Sequence, residues 1–223
     1  MKERLIKIKP NMLIVNEIFH SIQGESSHAG RPCVFVRLAF CNLRCSYCDT
    51  VYAFDEGIEM SVDDIMVAVR KYKCKLVEIT GGEPLLQPNV NNLMTQLSDE
   101  GFEILLETNG SLDISKVDTR VKRIVDFKCP LSNMVENNLW ANVTHLKFDD
   151  EVKFVIGCRE DYEWSKKMIA ELQINRRCPI LMLPVYSLIE PLQLVEWILK
   201  DKLDVRFQLQ IQKYIWSPET RGV

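Results

Sequence analysis

What the chain lacks narrows its class first. No apolar run reaches the roughly 18 residues that a membrane-crossing helix needs. The opening stretch Met1–Pro10 is basic but carries none of the apolar core of a secretory leader. Neither sign of charge dominates: 28 lysines and arginines face 31 aspartates and glutamates, a formal net charge of -3. The global basic field that marks nucleic-acid binding is therefore missing. Histidine is scarce, and His20, His28 and His145 have no metal-ligating spacing. Eight cysteines in 223 residues are too few for a disulfide scaffold. These absences point to a cytoplasmic globular protein, whose cysteines are thiols, metal ligands or catalytic groups.

What is present is an alternation of short apolar runs and helical stretches, with no repeat, low-complexity tract or long linker. Val34–Leu38, Leu76–Thr80, Ile104–Glu107, Val121–Phe127, Lys153–Ile156, Ile180–Leu183 and Phe207–Ile211 read as strands, and residues 13–19 as one more. Helices are predicted over Ser61–Tyr72, Val90–Asp99, Asp161–Leu172 and Leu192–Lys200. Ser61 suits the N-cap of the first, with Asp64 answering from the third helical position. Strand–helix alternation implies an α/β fold with a mainly parallel sheet. The chain is short for a closed eight-stranded barrel, which takes about 250 residues. An incomplete, open β/α barrel in a single domain, residues 1–223, fits better. Within it, residues 1–33 form an N-terminal extension to the barrel and residues 129–150 an irregular insertion. In such sheets ligands gather beyond the C-terminal strand ends.

The most distinctive motif follows the strand Val34–Leu38. Cys41, Cys45 and Cys48 lie within eight residues, in the spacing Cys-x3-Cys-x2-Cys. Soft thiolates select zinc, copper or iron–sulfur clusters. A structural zinc site closes with four ligands, and no histidine or cysteine follows closely; the next is Cys74. A [4Fe–4S] cluster held by three thiolates keeps one iron open for a small molecule, whereas most cluster proteins supply four. A zinc loop closed by a distant residue, or three buried thiols, remain alternatives at this level.

A second motif, Thr80-Gly81-Gly82-Glu83-Pro84, follows the next barrel strand. The two motifs in this order resemble the radical S-adenosylmethionine superfamily. Phe19-His20-Ser21-Ile22-Gln23-Gly24-Glu25, Cys48-Asp49-Thr50, Asp126-Phe127-Lys128-Cys129-Pro130 and the tail Tyr214–Val223 narrow the likeness. From about residue 13 onward the chain resembles the 7-carboxy-7-deazaguanine synthase family. That resemblance implies a lyase converting 6-carboxy-5,6,7,8-tetrahydropterin to 7-carboxy-7-deazaguanine with loss of ammonia, in 7-deazapurine and queuosine biosynthesis. It also implies a [4Fe–4S] cluster, S-adenosylmethionine cleaved to a 5′-deoxyadenosyl radical, and Mg²⁺. A homodimer and an electron donor such as flavodoxin or ferredoxin follow as family expectations.

Residue by residue, the resemblance assigns Cys41, Cys45 and Cys48 to the cluster and Thr50 to Mg²⁺. Tyr47, Cys48, Asp49, Gly82, Asp126, Phe127 and Lys128 correspond to cofactor contacts. Ile22, Gln23, Gly24, Glu25, Arg37, Thr80 and Pro218 correspond to substrate contacts. Read alone, Thr50 is an ordinary turn residue, Arg37 a charge at a strand edge and Lys128 a surface lysine. Ser26 stands where many members have glycine, and Gln212 where many have histidine. Cys33, Cys74, Cys129, Cys158 and Cys178 read as inert thiols.

Two other readings compete. A different radical S-adenosylmethionine enzyme, such as a glycyl-radical activase, would share both motifs but would not need Gln23–Glu25, Arg37 and the tail together. A zinc-stabilised α/β interaction module would not be an enzyme at all, and metal analysis separates it.

Overall fold

The apolar runs assemble into one nine-stranded sheet in the computed structural model, which describes residues 8–223. Residues 1–7 of the expected N-terminal extension lie outside the described residues. The strands are β1 (Met12–Ile22), β2 (Pro32–Leu38), β3 (Ile58–Ser61), β4 (Leu76–Gly81), β5 (Glu103–Thr108), β6 (Lys122–Asp126), β7 (Glu151–Ile156), β8 (Ile180–Pro184) and β9 (Arg206–Phe207). They lie in the order β3-β1-β2-β4-β5-β6-β7-β8-β9. From β2 to β9 every neighbouring pair is parallel, and β1 runs antiparallel to both β2 and β3. Among the described residues β3 and β9 do not pair, so the barrel stays open.

Helices α1 (Val62–Lys71), α2 (Val90–Asp99), α3 (Arg159–Leu172) and α4 (Pro191–Asp201) cover one face of the sheet; a single turn, α5 (Gln212–Ile215), stands near the C-terminus. The α1 start is capped as its sequence predicts: Ser61 Oγ accepts from the Asp64 N–H at 3.1 Å and donates to the Asp64 carboxylate at 2.6 Å. Each helix turns an apolar stripe inward, for example Ile65, Met66 and Val69 of α1 and Leu93, Met94 and Leu97 of α2. These meet alternate strand residues such as Val34, Val36, Val77, Ile79, Leu106 and Phe154 in one continuous core.

The other strand residues point into the concave face. At its base Phe19, Cys33, Phe35, Leu76, Leu105 and Ile124 form a small apolar cluster. The loop after β1 seals this end. Ser27 N–H donates to the Glu151 carboxylate at 3.0 Å. His28 and Arg31 both meet Glu103, at 2.8 and 2.6 Å. Glu103 and Glu151 open β5 and β7, so the loop spans the N-terminal strand ends.

Three features beyond the sequence expectations matter for the site. The first strand runs over Met12–Ile22, longer than 13–19, because both its edges are paired. Between β6 and β7 lie three 3-10 turns, Pro130–Ser132, Val135–Asn137 and Trp140–His145. The final strand is only Arg206–Phe207, not Phe207–Ile211. The chain leaves β8 there because the glutamines beyond find partners elsewhere. Gln208 Nε2 donates to the Ser26 carbonyl, and the Ile211 N–H donates to the Gly24 carbonyl at 3.2 Å.

Candidate active site

The cysteine loop leaves the C-terminal end of β2, where a parallel sheet presents its ligands. Two glycines let the neighbouring turn come against it. Gly81 has φ +148°, and a Cβ there would overlap the Leu38 backbone. A Cβ on Gly82 would overlap the Phe40 carbonyl and lie 2.7 Å from Cys41 Cβ. The space that Gly82 leaves open is thus filled by the cysteine loop itself. Backbone bonds seal the contact, with Glu83 N–H donating to the Phe40 carbonyl at 2.8 Å. Glu83 is fully buried and accepts from the Thr108 hydroxyl at 2.9 Å and the Asn109 N–H at 2.7 Å. Burial nonetheless pushes its carboxyl up to about 6, against the pull of those donors.

Cys41, Cys45 and Cys48 are each partly exposed. Burial pushes all three thiols up, Cys45 to about 11, while the nearby Lys128 ammonium favours their thiolates. Cys41 Sγ also accepts from the Leu43 N–H at 3.4 Å. Among the described residues no three histidine, cysteine, aspartate or glutamate side chains converge on a point, as a single zinc ion requires. A [4Fe–4S] cluster makes no such demand, since each thiolate binds a different iron. Two buried polar atoms nearby have no partner among the described residues: the Tyr47 hydroxyl and Asp126 Oδ1. Unpaired buried groups are costly, so both suit a polar ligand beside the loop. The donor set and its surroundings therefore fit the cluster and a polar cofactor.

Below the loop, the concave face turns from apolar to charged. Arg37, Thr80 and Glu107 occupy matching levels of β2, β4 and β5. The Arg37 Nε donates to Glu17 at 2.8 Å, and the Tyr52 hydroxyl donates to the same oxygen at 3.0 Å. Glu78, one level lower on β4, accepts from the Gln23 side-chain amide. Burial, with Glu107 and Glu25 near, drives the Glu78 carboxyl well above the usual range. Lys153 projects from β7 among Glu25 at 2.9 Å, Asp126 at 3.5 Å and Glu107. Burial works against its charge, and these carboxylates outweigh burial, so its ammonium is held more firmly than usual. Lys128 pairs with Asp126 at 2.9 Å.

The C-terminal tail passes from β9 towards the β1 side of the opening. Gln210 and Gln212 donate to Glu25 at 2.8 and 3.2 Å. A Cβ on Gly24 would overlap the Gln212 side chain, so glycine lets the tail lie close. Lys213 bonds Asp49 at 2.6 Å, and Arg221 bonds Glu56 at 3.0 Å while stacking over Tyr52. Burial raises the Asp49 carboxyl, but Lys213 outweighs it and holds the group low.

The inner face of the sheet thus brings together Gln23, Gly24, Glu25, Arg37, Thr80, Asp126 and Lys128, which the sequence singled out, with the cysteine loop above them. Other candidates stand apart. The Phe127 side chain faces the outer core and stacks with Trp140 and Phe154. Pro218 lies exposed in the tail. Thr50 donates to Asp49 at 3.0 Å, beside the cysteines. Of the remaining thiols, Cys33, Cys129 and Cys178 are buried, and burial pushes all three up.

Glu78, Glu107 and Lys153 escaped the sequence reading. A signal for them existed. Each is a charge in an otherwise apolar strand run, in Leu76–Thr80, Ile104–Glu107 and Lys153–Ile156. A charge in a buried parallel strand marks a polar cavity wall.

Comparison with known proteins agrees with this geometry. The family described as the Radical SAM superfamily matches residues 36–198. The 7-carboxy-7-deazaguanine synthase of Chlorobaculum tepidum is 48% identical over 215 residues, covering 95% of this chain and 97% of that protein. Its counterpart from Koribacter versatilis is 42% identical over 224 residues, with 94% and 99% coverage. In fold the chain is similar to the crystal structure of QueE from Escherichia coli. The TM-score is 0.71 at 22% identity, over 89% of this chain and 93% of that one. The chain belongs to the radical SAM superfamily and, within it, to the 7-carboxy-7-deazaguanine synthase family, and is accordingly an enzyme that works with a [4Fe–4S] cluster and S-adenosylmethionine.

Proposed function

We propose that the chain converts 6-carboxy-5,6,7,8-tetrahydropterin to 7-carboxy-7-deazaguanine with release of ammonia, serving 7-deazapurine and queuosine biosynthesis. The observation that carries this reading is the charged inner face of the sheet, set between the Gln23–Glu25 turn and the cysteine loop. A pterin offers N–H donors along one edge, and the Glu25 carboxylate, anchored by Lys153 and Gln210, accepts them. The substrate carboxylate meets Arg37, whose Nε is engaged by Glu17 while its terminal nitrogens serve the bidentate pairing. Ile22, Gln23, Gly24 and Thr80, with Pro218 of the tail, complete the substrate contacts.

Cys41, Cys45 and Cys48 hold the cluster, and Tyr47, Asp49, Gly82, Asp126 and Lys128, with the Phe127 backbone, receive S-adenosylmethionine. When bound, the cluster and S-adenosylmethionine supply the one-electron chemistry that starts the ring contraction. The chain's own part is to fix the substrate, to cover it with the tail and to keep water out. Thr50 is the Mg²⁺ ligand in this reading, since a hard cation takes oxygen donors and shares them with a carboxylate. The enzyme works as a homodimer in the cytoplasm, reduced by a flavodoxin or ferredoxin. No helix among the described residues is long and apolar enough to cross a membrane.

The test is one anaerobic assay on iron- and sulfide-reconstituted protein with S-adenosylmethionine, Mg²⁺, a strong reductant and the carboxytetrahydropterin. Mass spectrometry should find 7-carboxy-7-deazaguanine, and none when S-adenosylmethionine is left out. Slow release of 5′-deoxyadenosine without product would reject the substrate and keep the radical chemistry.

A further inference from the structure

Lys153 belongs to none of the motifs. Only 5% of its side chain is exposed, in the middle of the cavity wall. Its three carboxylate partners come from three places: Glu25 from the loop below, Glu107 from β5 and Asp126 from β6. An ammonium has three N–H donors, and here each has an acid to face. The partners are not equally served. Asp126 has a second cation in Lys128 at 2.9 Å, whereas Lys153 is the cation bridging both Glu25 and Glu107. Under the proposed function, on which this inference rests, Glu25 lies on the substrate side and Asp126 on the cofactor side.

We propose that Lys153 is the positioning residue that joins the two halves of the cavity, holding Glu25 and Glu107 for the pterin edge while fixing Asp126 for S-adenosylmethionine. Its loss acts differently on each side. Asp126 loses one of its two cations and keeps Lys128, so the cofactor side is weakened less than the substrate side. Glu25 is left with the neutral Gln210 and Gln212 of the tail, the Gln23 side chain behind its own N–H, the Glu78 carboxyl of β4 close by, and the repelling charge of Asp49, itself bonded to Lys213. Glu107 is left facing Glu78 of β4. In the native site burial raises the Glu25 carboxyl, but Lys153 and Gln210 together hold it below the usual range. Without Lys153 the lowering charge goes and burial stays, so Glu25 takes up its proton at higher pH.

The experiment compares wild type, Lys153→Met and Lys153→Arg as full-length, cluster-loaded protein. It measures kcat/KM for the carboxytetrahydropterin against pH, and S-adenosylmethionine affinity by anaerobic equilibrium dialysis. Lys153→Met should lose at least about tenfold in kcat/KM at neutral pH. Its acid limb should move up by about one pH unit or more, and S-adenosylmethionine should bind several-fold more weakly. Lys153→Arg should return the acid limb towards the wild-type position. An even loss at all pH values with the acid limb unmoved would overturn the proposal, as would unchanged S-adenosylmethionine affinity. Should the Met variant fail to fold, Lys153→Gln gives the same neutral charge with a polar end and is judged by the same two readouts. A wild-type protein that never turns over the pterin refutes the substrate reading instead, and the dialysis comparison still decides the link to the cofactor side.

Discussion

The two faces of the same strands were built for different ends. On the outer face Val77, Ile79, Leu106 and Val125 are buried in one apolar core with residues of the helices. One residue away, on the inner face, Glu78, Thr80, Glu107 and Asp126 line a charged cavity. Apolar burial stabilises at about 25 cal/mol per Å², and the outer face is where that gain is made. Buried charges, by contrast, contribute little net stability even when paired. The inner face keeps them under one end of a sheet whose stability is provided elsewhere, which is what a site for polar ligands needs.

Substitutions can break or sharpen that contrast. The largest effect should come from Cys45→Ala, since two thiolates cannot retain the cluster. Iron content and visible absorbance should fall to background, and turnover with them, while the circular dichroism of the fold persists. Normal activity in that variant would reject the cluster assignment.

Next comes a pair of adjacent residues on β4. Ile79→Ala, on the outer face, should cost about 2–5 kcal/mol in denaturant unfolding, because Ile79 is completely buried in the core. Glu78→Gln, on the inner face, should cost about 1 kcal/mol or less. Burial and the neighbouring Glu107 and Glu25 push the Glu78 carboxyl up, towards its neutral form; glutamine is the nearest neutral isostere, and its oxygen can still accept from Gln23. Equal costs at the two positions would dissolve the contrast between the faces.

A smaller effect is expected at Thr50→Ala. The cluster should load normally, while stimulation of turnover by added Mg²⁺ weakens. An unchanged magnesium response would remove Thr50 from the metal site.

The smallest concerns pH and the sealed base. Arg31, with His28, holds the Glu103 carboxyl down to about 2. A depressed folded value means stability present above the ordinary carboxylate range and lost as pH falls from about 4.5 towards 2. Glu103 is nearly half exposed, so solvent screening keeps the contribution modest. Glu103→Gln should flatten that part of the Tm–pH curve and leave the neutral range almost unchanged. An unaltered acid slope would show that the Arg31 pairing adds nothing.

Legibility in the sequence followed distance along the chain. The cysteine loop is eight residues long, so its spacing was readable as chemistry. The same holds for Ser61 and Asp64, which cap α1 across three residues. Strand runs over β4, β5 and β8 were found to within a residue or two of their bounds, because apolar runs bounded by turns are local signals. The region after Phe207 departs from its strand-like pattern for the opposite reason. Its alternating Gln208, Gln210 and Gln212 carry a strand-like period, but their partners are Ser26 and Glu25, nearly the whole chain away. Phe127 adjoins Asp126 and Lys128 in sequence, but side-chain alternation turns its ring to the other face, which no motif shows.

The sequence by itself determined the alternation of strands and helices, the cysteine spacing, the glycine pair and the family likeness, since each depends on residues a few positions apart. Only the tertiary structure decided which charges meet. Lys153 reaches Glu25 across 128 positions and Glu107 across 46. Both meetings depend on strand order, register and the folding of the loop after β1 beneath the sheet. No local pattern encodes those, because they are set by which apolar faces bury together.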